Sequence, residues 1–185
     1  MINKKLFFKS FLENPLRTGS VIQSSPFLVS QMIKPVNFCE AKVIVEFGAG
    51  TGVVTKKILK NMAQDSVLLC FEVNKNLCKE LKNKVQDPRL KVISDGAEKL
   101  ERYLKRYNAK EVDYIISELP LVVLPKEIGE KILFQITKHL KKGGQYIQFQ
   151  YSLTSRKKFK KMFSEMEIRF TLLNIPPAFV YVCTK

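Results

Sequence analysis

The sequence contains no tryptophan, one histidine (His139) and four cysteines, Cys39, Cys70, Cys78 and Cys183, none of which forms a CxxC pair. A zinc cluster needs several Cys or His ligands at short spacing and a catalytic triad needs a histidine beside its nucleophile, so neither is expected. The cysteine pattern fits a reduced, metal-free cytoplasmic protein. No apolar run approaches the roughly 18 residues of a spanning helix, and Leu6-Phe7-Phe8 after Lys4 and Lys5 is too short for a signal-peptide core. Acidic residues are also scarce, 17 against 32 Lys+Arg, leaving a net charge of +15. Only six of the basic residues are arginine. Bidentate readout of phosphates or bases favours arginine, so the lysine excess reflects either attraction to a polyanion, nucleic acid or an anionic membrane, or a lysine-rich genome. With 185 residues, 45% of them hydrophobic, the chain is expected to fold as one globular domain, 1–185.

From position 42 onward, strand-like runs alternate with helical ones. Val43–Glu46, Val67–Glu72, Lys91–Ser94, Val112–Ser117 and Gln145–Tyr151 read as strands, and Val53–Met62, Lys75–Val85, Ala97–Tyr107 and Lys126–Lys142 carry helical spacing, the last ending at Gly143-Gly144. Such alternation predicts right-handed βαβ crossovers and a parallel sheet. Glu167–Asn174 and Phe179–Cys183, joined through Ile175-Pro176-Pro177-Ala178, read as an edge hairpin because the prolines forbid a helix between them. The predicted fold is α/β, a Rossmann-like seven-stranded, mostly parallel sheet with an antiparallel last strand and helices on both faces. Residues 1–40 are expected to form a helical extension ahead of the core at 41–185. In that extension Phe7, Phe8, Phe11, Leu12 and Leu16 make an apolar stripe opposite Lys4, Lys5, Lys9 and Glu13, and a second helix is expected from Pro26 to Ile33, entered through Ser24-Ser25. The stripe suits either an anchor lying in a membrane interface or a cap packed on the sheet. Arg156-Lys157-Lys158-Phe159-Lys160-Lys161 is the densest basic run, a solvated helix face or a phosphate-binding patch.

The first strand runs into Glu46-Phe47-Gly48-Ala49-Gly50-Thr51-Gly52. Glycines there permit a sharp turn and close approach of backbone to a ligand. A dinucleotide fingerprint starting at Gly48 would need glycine at position 53, which is Val53, and no G-K-[ST] follows for a P-loop. The remaining pattern, E-x-G-x-G-x-G, resembles motif I of the class I S-adenosylmethionine-dependent methyltransferases, and the resemblance covers the chain after residue 40. It implies S-adenosyl-L-methionine as cofactor, held by Glu46, Gly48, Ala49, Gly50 and Gly52, with Glu72 at the end of the second strand for the ribose hydroxyls. Asp95, followed by Gly96 and Ala97, falls where the family places its adenine-contacting acid; an Asp at a strand-to-helix junction also suits a helix N-cap.

After the fourth strand stands Ser117-Glu118-Leu119-Pro120-Leu121, where amino-methylating members of the class carry their catalytic tetrapeptide. In the rRNA adenine dimethyltransferases that segment reads Asn-Leu-Pro-Tyr, and here Glu118 and Leu121 replace the amide and the aromatic that a flipped adenine needs. The region is more similar to bacterial phospholipid N-methyltransferases, which run S-x-L-P-L. Phe11-Leu12-Glu13-Asn14-Pro15 with Thr18-Gly19-Ser20-Val21-Ile22-Gln23-Ser24-Ser25, and Asn174-Ile175-Pro176-Pro177-Ala178-Phe179-Val180-Tyr181, are similar to that family's opening and closing segments. Glu118, where a small residue is commoner in the family, and the missing Trp are departures. This resemblance implies an enzyme methylating the amine head group of phosphatidylethanolamine-type phospholipids, cytoplasmic and peripherally bound to an anionic membrane. Glu118, Leu119 and Pro120 then form the catalytic corner, Glu118 also touching the cofactor, with Phe7, Phe8, Phe11, Ser20, Gln23 and Tyr151 on the substrate or membrane side. RNA or a small-molecule amine as acceptor, and a non-catalytic basic binding module, stand as alternatives. No metal is expected, and the oligomeric state is left open.

Overall fold

The computed structural model describes residues 24–185. The sequence expectations for Phe7, Phe8, Phe11, Leu12, Leu16, Ser20 and Gln23 fall outside those residues. Among the described residues the order is α1 (Pro26–Ile33), β1 (Val43–Phe47), α2 (Val53–Asn61), β2 (Val67–Phe71), α3 (Lys75–Lys84), β3 (Leu90–Ile93), a 3₁₀ turn (Ala97–Lys99) leading into α4 (Leu100–Arg106), β4 (Val112–Ser117), α5 (Lys126–His139), β5 (Leu140–Gln150), α6 (Arg156–Met162), β6 (Glu165–Thr171) and β7 (Ala178–Thr184). The strands form one sheet in the order β3-β2-β1-β4-β5-β7-β6. β1 to β5 pair in parallel, and β7 is antiparallel to both β5 and β6. The predicted α/β sheet with an antiparallel last strand is therefore the fold.

Alternation along the strands sends side chains to two separate cores. Ile44, Leu68, Ile116 and Ile147 pack under α1 and α2, whose buried residues include Leu28, Met32, Val54 and Ile58. Val45, Leu69, Ile115 and Tyr146 pack under α4, α5 and α6, against Leu100, Ile132, Ile136 and Phe159. Burying both faces explains why the strands read as continuous apolar runs. Sequence order reverses direction between β1 and β4, so the crevice at the carboxyl ends of these strands is where an α/β sheet of this kind binds ligands.

Two polar devices fix the frame. The Arg89 guanidinium donates to the carbonyls of Leu59 (2.9 Å) and Met62 (2.8 Å), closing the carbonyl end of α2, while also pairing with Asp87 (2.7 Å). The Asp113 carboxylate accepts from the N–H groups of Lys42 (2.8 Å) and Val43 (2.9 Å) and pairs with Lys141, stapling the entry of β1 to β4 and β5.

Three regions differ from the sequence reading by three residues or more. α5 stops at His139, and Gly143-Gly144 lie inside β5 rather than at a helix end. Gly143 sits at φ +77°, and a Cβ on Gly144 would stand 2.8 Å from the Asp113 carbonyl oxygen. The glycines serve a shift of register between β4 and β5 at Val112/Tyr114. The predicted helix over Ala97–Tyr107 opens as a 3₁₀ turn, and β6 ends at Thr171, so that Leu172, Leu173 and Asn174 leave the sheet.

Candidate functional site

Gly48, Gly50 and Gly52 all adopt positive φ, +80°, +52° and +80°, a region that costs a side-chain-bearing residue about 1–2 kcal/mol. Their surroundings divide the labour. A Cβ on Gly52 would sit 2.4 Å from Leu81 Cδ1, and one on Gly48 would sit 3.0 Å from Leu119 Cδ2, so these two glycines let elements close together. Gly50 faces open space, with nothing within 4 Å of a Cβ built there. It is the point of the turn at which the backbone is left uncovered by other side chains.

Around the turn stand three carboxyls from three strand ends. Glu46, fully buried in β1, accepts from Thr55 Oγ1 (2.7 Å) and Cys70 Sγ (3.1 Å) through Oε2, whereas its Oε1 has no hydrogen-bond partner among the described residues. Burial pushes its carboxyl up to about 7, with the charge of Glu72 adding to the shift and the bonds from Thr55 and Cys70 opposing it. Glu72 follows β2. It is a buried group that ties the glycine turn to the next loop, Oε2 accepting from Gly50 N–H (3.0 Å) and Oε1 from Asn74 N–H (2.8 Å).

Glu118, directly after β4, is half-buried. Its backbone N–H continues the pairing to the Phe47 carbonyl (2.9 Å), and its carboxylate accepts from Ser24 Oγ (2.6 Å). Burial pushes this carboxyl up to about 8, the charges of Glu46 and Glu72 raise it further, and the Ser24 bond opposes them. The next two residues are held from beneath, since the Leu119 carbonyl accepts from Gln148 Nε2 (3.0 Å), whose own Oε1 accepts from Tyr146 OH (2.6 Å). Leu119–Pro120 is thus seated on the sheet. Tyr151, 48% exposed, stands just beyond β5, with its phenol in hydrogen-bonding contact with Asn174 and within the field of Glu118.

Asp95 begins the turn after β3. Although burial pulls the other way, Lys99 (2.6 Å), the Gly96 N–H (2.9 Å) and Tyr103 OH (3.1 Å) together hold its carboxyl below the usual carboxylate range. Gly96 and Ala97 follow at the start of the 3₁₀ turn. Tyr103 in turn stacks edge-on against Phe71, and Phe71 against Phe47.

The structure therefore brings Glu46, Gly48, Ala49, Gly50, Gly52, Glu72 and Glu118 to one corner of the sheet. Asp95, Gly96 and Ala97 stand at the neighbouring strand end and Tyr151 across from them. Sequence reasoning missed Thr55, Cys70 and Tyr103, which hold the acids, and Ser24 as the partner of Glu118. Thr55 did leave a trace, as a polar residue on the otherwise apolar buried face of α2 beside Val54, Ile58 and Leu59.

This strand order, a glycine turn with open space at its centre and an acid at the end of β2 define a class I methyltransferase. A sequence profile described as ribosomal RNA adenine dimethylase matches residues 12–171. The chain belongs to that family, and it is an S-adenosylmethionine-dependent methyltransferase. An ornithine lipid N-methyltransferase of Singulisphaera acidiphila is 26% identical over 181 residues, covering 96% of this chain and 94% of that protein. The ribosomal RNA small subunit methyltransferase A of Mesomycoplasma hyopneumoniae is 31% identical over 106 residues, 57% of this chain but only 36% of that enzyme. Among solved structures, the magnesium protoporphyrin IX methyltransferase of Synechocystis PCC 6803 with bound S-adenosylmethionine shares the fold, with a TM-score of 0.69 at 10% identity over 100% of this chain and 98% of that one. No helix among the described residues is long and apolar enough to cross a membrane.

Proposed function

We propose that the chain methylates the primary amine of a membrane lipid head group, of the phosphatidylethanolamine type, with Glu118 receiving the proton that the amine must lose. The observation that carries this is the Glu118 carboxyl itself: half-buried, raised to about 8 and placed beside the glycine turn. An alkyl ammonium, with lysine's reference value of about 10.4 as guide, is protonated at neutral pH and has no lone pair to offer. A carboxylate with an ordinary pKa near 4.5 is a poor acceptor for that proton, and one lifted toward 8 is a much better match in its ionised form, whose population grows as pH approaches 8. The same group attracts the ammonium, because a cation arriving among Glu46, Glu72 and Glu118 relieves the mutual repulsion that raises Glu46 and Glu118.

S-adenosylmethionine, when bound, supplies an electrophilic methyl group on a positively charged sulfur. The residues present fit such a group: bare backbone at Gly50, the unpaired buried Oε1 of Glu46 as a counter-charge, and Glu72 and Asp95 at adjacent strand ends for the ribose and adenine. Gly48, Ala49, Gly52, Gly96 and Ala97 would line the cradle. Leu119 and Pro120 would present backbone and apolar surface that keep water from the amine. Lipid rather than nucleobase is supported by Glu118 and Leu121 in place of an amide and an aromatic, since Leu121 offers a flipped adenine no ring to stack upon at that position. It is supported also by the near end-to-end match to a lipid N-methyltransferase, against about a third of the length of the rRNA enzyme.

Incubation with methyl-labelled S-adenosylmethionine and, separately, phosphatidylethanolamine vesicles, ornithine-lipid vesicles and ribosomal RNA tests the reading. Label in a lipid amine is the expected outcome; label confined to RNA overturns it.

A further inference from the structure

The segment Leu172-Leu173-Asn174-Ile175-Pro176-Pro177 between β6 and β7 is built inside out. Its polar side chain is the buried one: Asn174, 3% exposed, accepts from the Ser25 N–H (3.2 Å) and donates to the Pro176 carbonyl (2.7 Å). The Leu173 carbonyl accepts from Ser25 Oγ (2.8 Å). These ties turn the aliphatic side chains outward, leaving Leu172 69%, Leu173 65% and Ile175 83% exposed. Three large aliphatics on one short loop oppose the usual distribution, and contiguous exposed apolar surface of this kind marks an interaction site. Pro176 and Pro177 add to the effect, since neither has an N–H that would need water.

Topology fixes where the loop stands. β6 runs parallel to β1–β5, so the loop after Thr171 emerges at the carboxyl edge of the sheet, the edge that carries the glycine turn and Glu118. The connection is covalently short, because Ser25, which holds the loop, is next to Ser24, which bonds Glu118. α6 begins at the same edge. The Ser152 carbonyl just ahead of it accepts from Tyr181 OH (3.0 Å), and the charge of Arg156 is felt at that phenol. α6 reads Arg-Lys-Lys-Phe-Lys-Lys-Met, with only Phe159 buried and no acidic residue.

We propose that Leu172, Leu173 and Ile175 insert into the headgroup–acyl boundary of an anionic bilayer, with the α6 cations on the lipid phosphates and the mouth of the Glu118 site facing the head groups. An aliphatic tip and a cationic helix at one edge of the sheet are together what a bilayer takes up. Nucleic acid would use the lysines and leave the aliphatics in water. The proposal rests on the lipid reading of the site and adds the surface by which the enzyme reaches its acceptor.

The absence of tryptophan makes a clean reporter available. In the full chain, the Ile175→Trp variant is titrated with vesicles of phosphatidylglycerol and phosphatidylethanolamine, and with vesicles containing acyl-brominated lipid. A blue shift on binding and quenching by the brominated chains are expected. In parallel, the Leu172→Ser/Leu173→Ser/Ile175→Ser variant is compared with wild type by vesicle flotation, far-UV circular dichroism and sedimentation velocity. Its partition is expected to fall about tenfold or more, with unchanged fold and unchanged sedimentation, given what three aliphatics gain on leaving water. Wild-type protein that does not float, a triple variant that floats like wild type, or a reporter whose emission ignores vesicles overturns the proposal. So does a triple variant that alters only sedimentation, which would assign the surface to a second copy of the chain. Loop-dependent flotation without methylation of any vesicle lipid upholds the insertion and overturns the lipid-acceptor reading.

Discussion

Replacing Glu46 by glutamine should make the protein more tolerant of alkaline pH, by an amount set by burial. In the folded chain the Glu46 carboxyl titrates at about 7 against an ordinary 4.5, a difference of about 2.5 units, and each unit is worth 1.36 kcal/mol. Because the folded-state value is raised, the native state holds this proton more tightly than the unfolded chain does. The resulting stability is present below about 4.5 and is lost as pH rises to about 7. Wild type should therefore lose about 3 kcal/mol relative to Glu46→Gln between pH 4 and pH 8. Glutamine keeps an oxygen for Thr55 Oγ1 and Cys70 Sγ, now 2.7 and 3.1 Å from Oε2, and never ionises. Glu118 titrates in both proteins and cancels to first order, apart from the part of its upward shift that the charge of Glu46 supplies. Urea unfolding followed by far-UV circular dichroism at unit pH steps from 4 to 8 measures the difference. Parallel stability curves for the two proteins, or a variant that loses ground as pH rises, would refute the assignment of a neutral, buried Glu46 at low pH.

Glu118→Gln should lower turnover of an amine acceptor within the usual range of about 10²–10⁴-fold for a lost proton acceptor. It should also abolish the rise in kcat/KM toward pH 8 at saturating S-adenosylmethionine; an unaltered pH profile removes Glu118 from the chemistry. Gly50→Ala and Gly52→Ala should separate binding from folding. Gly50→Ala costs about 1–2 kcal/mol of stability for its positive φ and weakens cofactor binding about tenfold or more. Gly52→Ala, with its Cβ 2.4 Å from Leu81 Cδ1, should lower Tm by more than Gly50→Ala does, and equal Tm losses would contradict this division. Tyr103→Phe deletes the 3.1 Å bond to Asp95 and should cost about 1 kcal/mol while weakening binding of adenosine more than of methionine in competition assays.

How much of this was legible in the sequence follows the range of each interaction. β4 was read to the residue, and the Glu46–Gly52 turn was placed on the correct strand end, because strand period and glycine chemistry are local. The end of α5 was misread because a glycine pair is locally the same signal whether it stops a helix or lets β5 pass the Asp113 carbonyl; only the partner strand distinguishes the two. Thr55 and Cys70 hold Glu46 across 9 and 24 residues, and Ser24 reaches Glu118 across 94. Such pairings are set by the β1–β2 register, which puts Cys70 beside Glu46, and by the packing of α1 and α2 on the sheet. The raised carboxyls of Glu46 and Glu118 were hidden for the same reason, since desolvation belongs to the assembled fold and not to a residue type.

In the proposed reaction the Ser24 hydroxyl is a standing partner of the carboxyl that receives the amine's proton. The hydroxyl occupies one lone-pair direction of Oε2 at 2.6 Å, and a carboxylate has about four, so Glu118 keeps acceptor capacity for an incoming donor without releasing Ser24. An alcohol meeting the ionised carboxylate gains a hydrogen bond, whereas an ammonium gains a hydrogen bond together with the attraction of opposite charges. On the proposed reading, selectivity for a protonated amine over an alcohol of the same shape rests on the charge at Glu118 rather than on the size of the cavity.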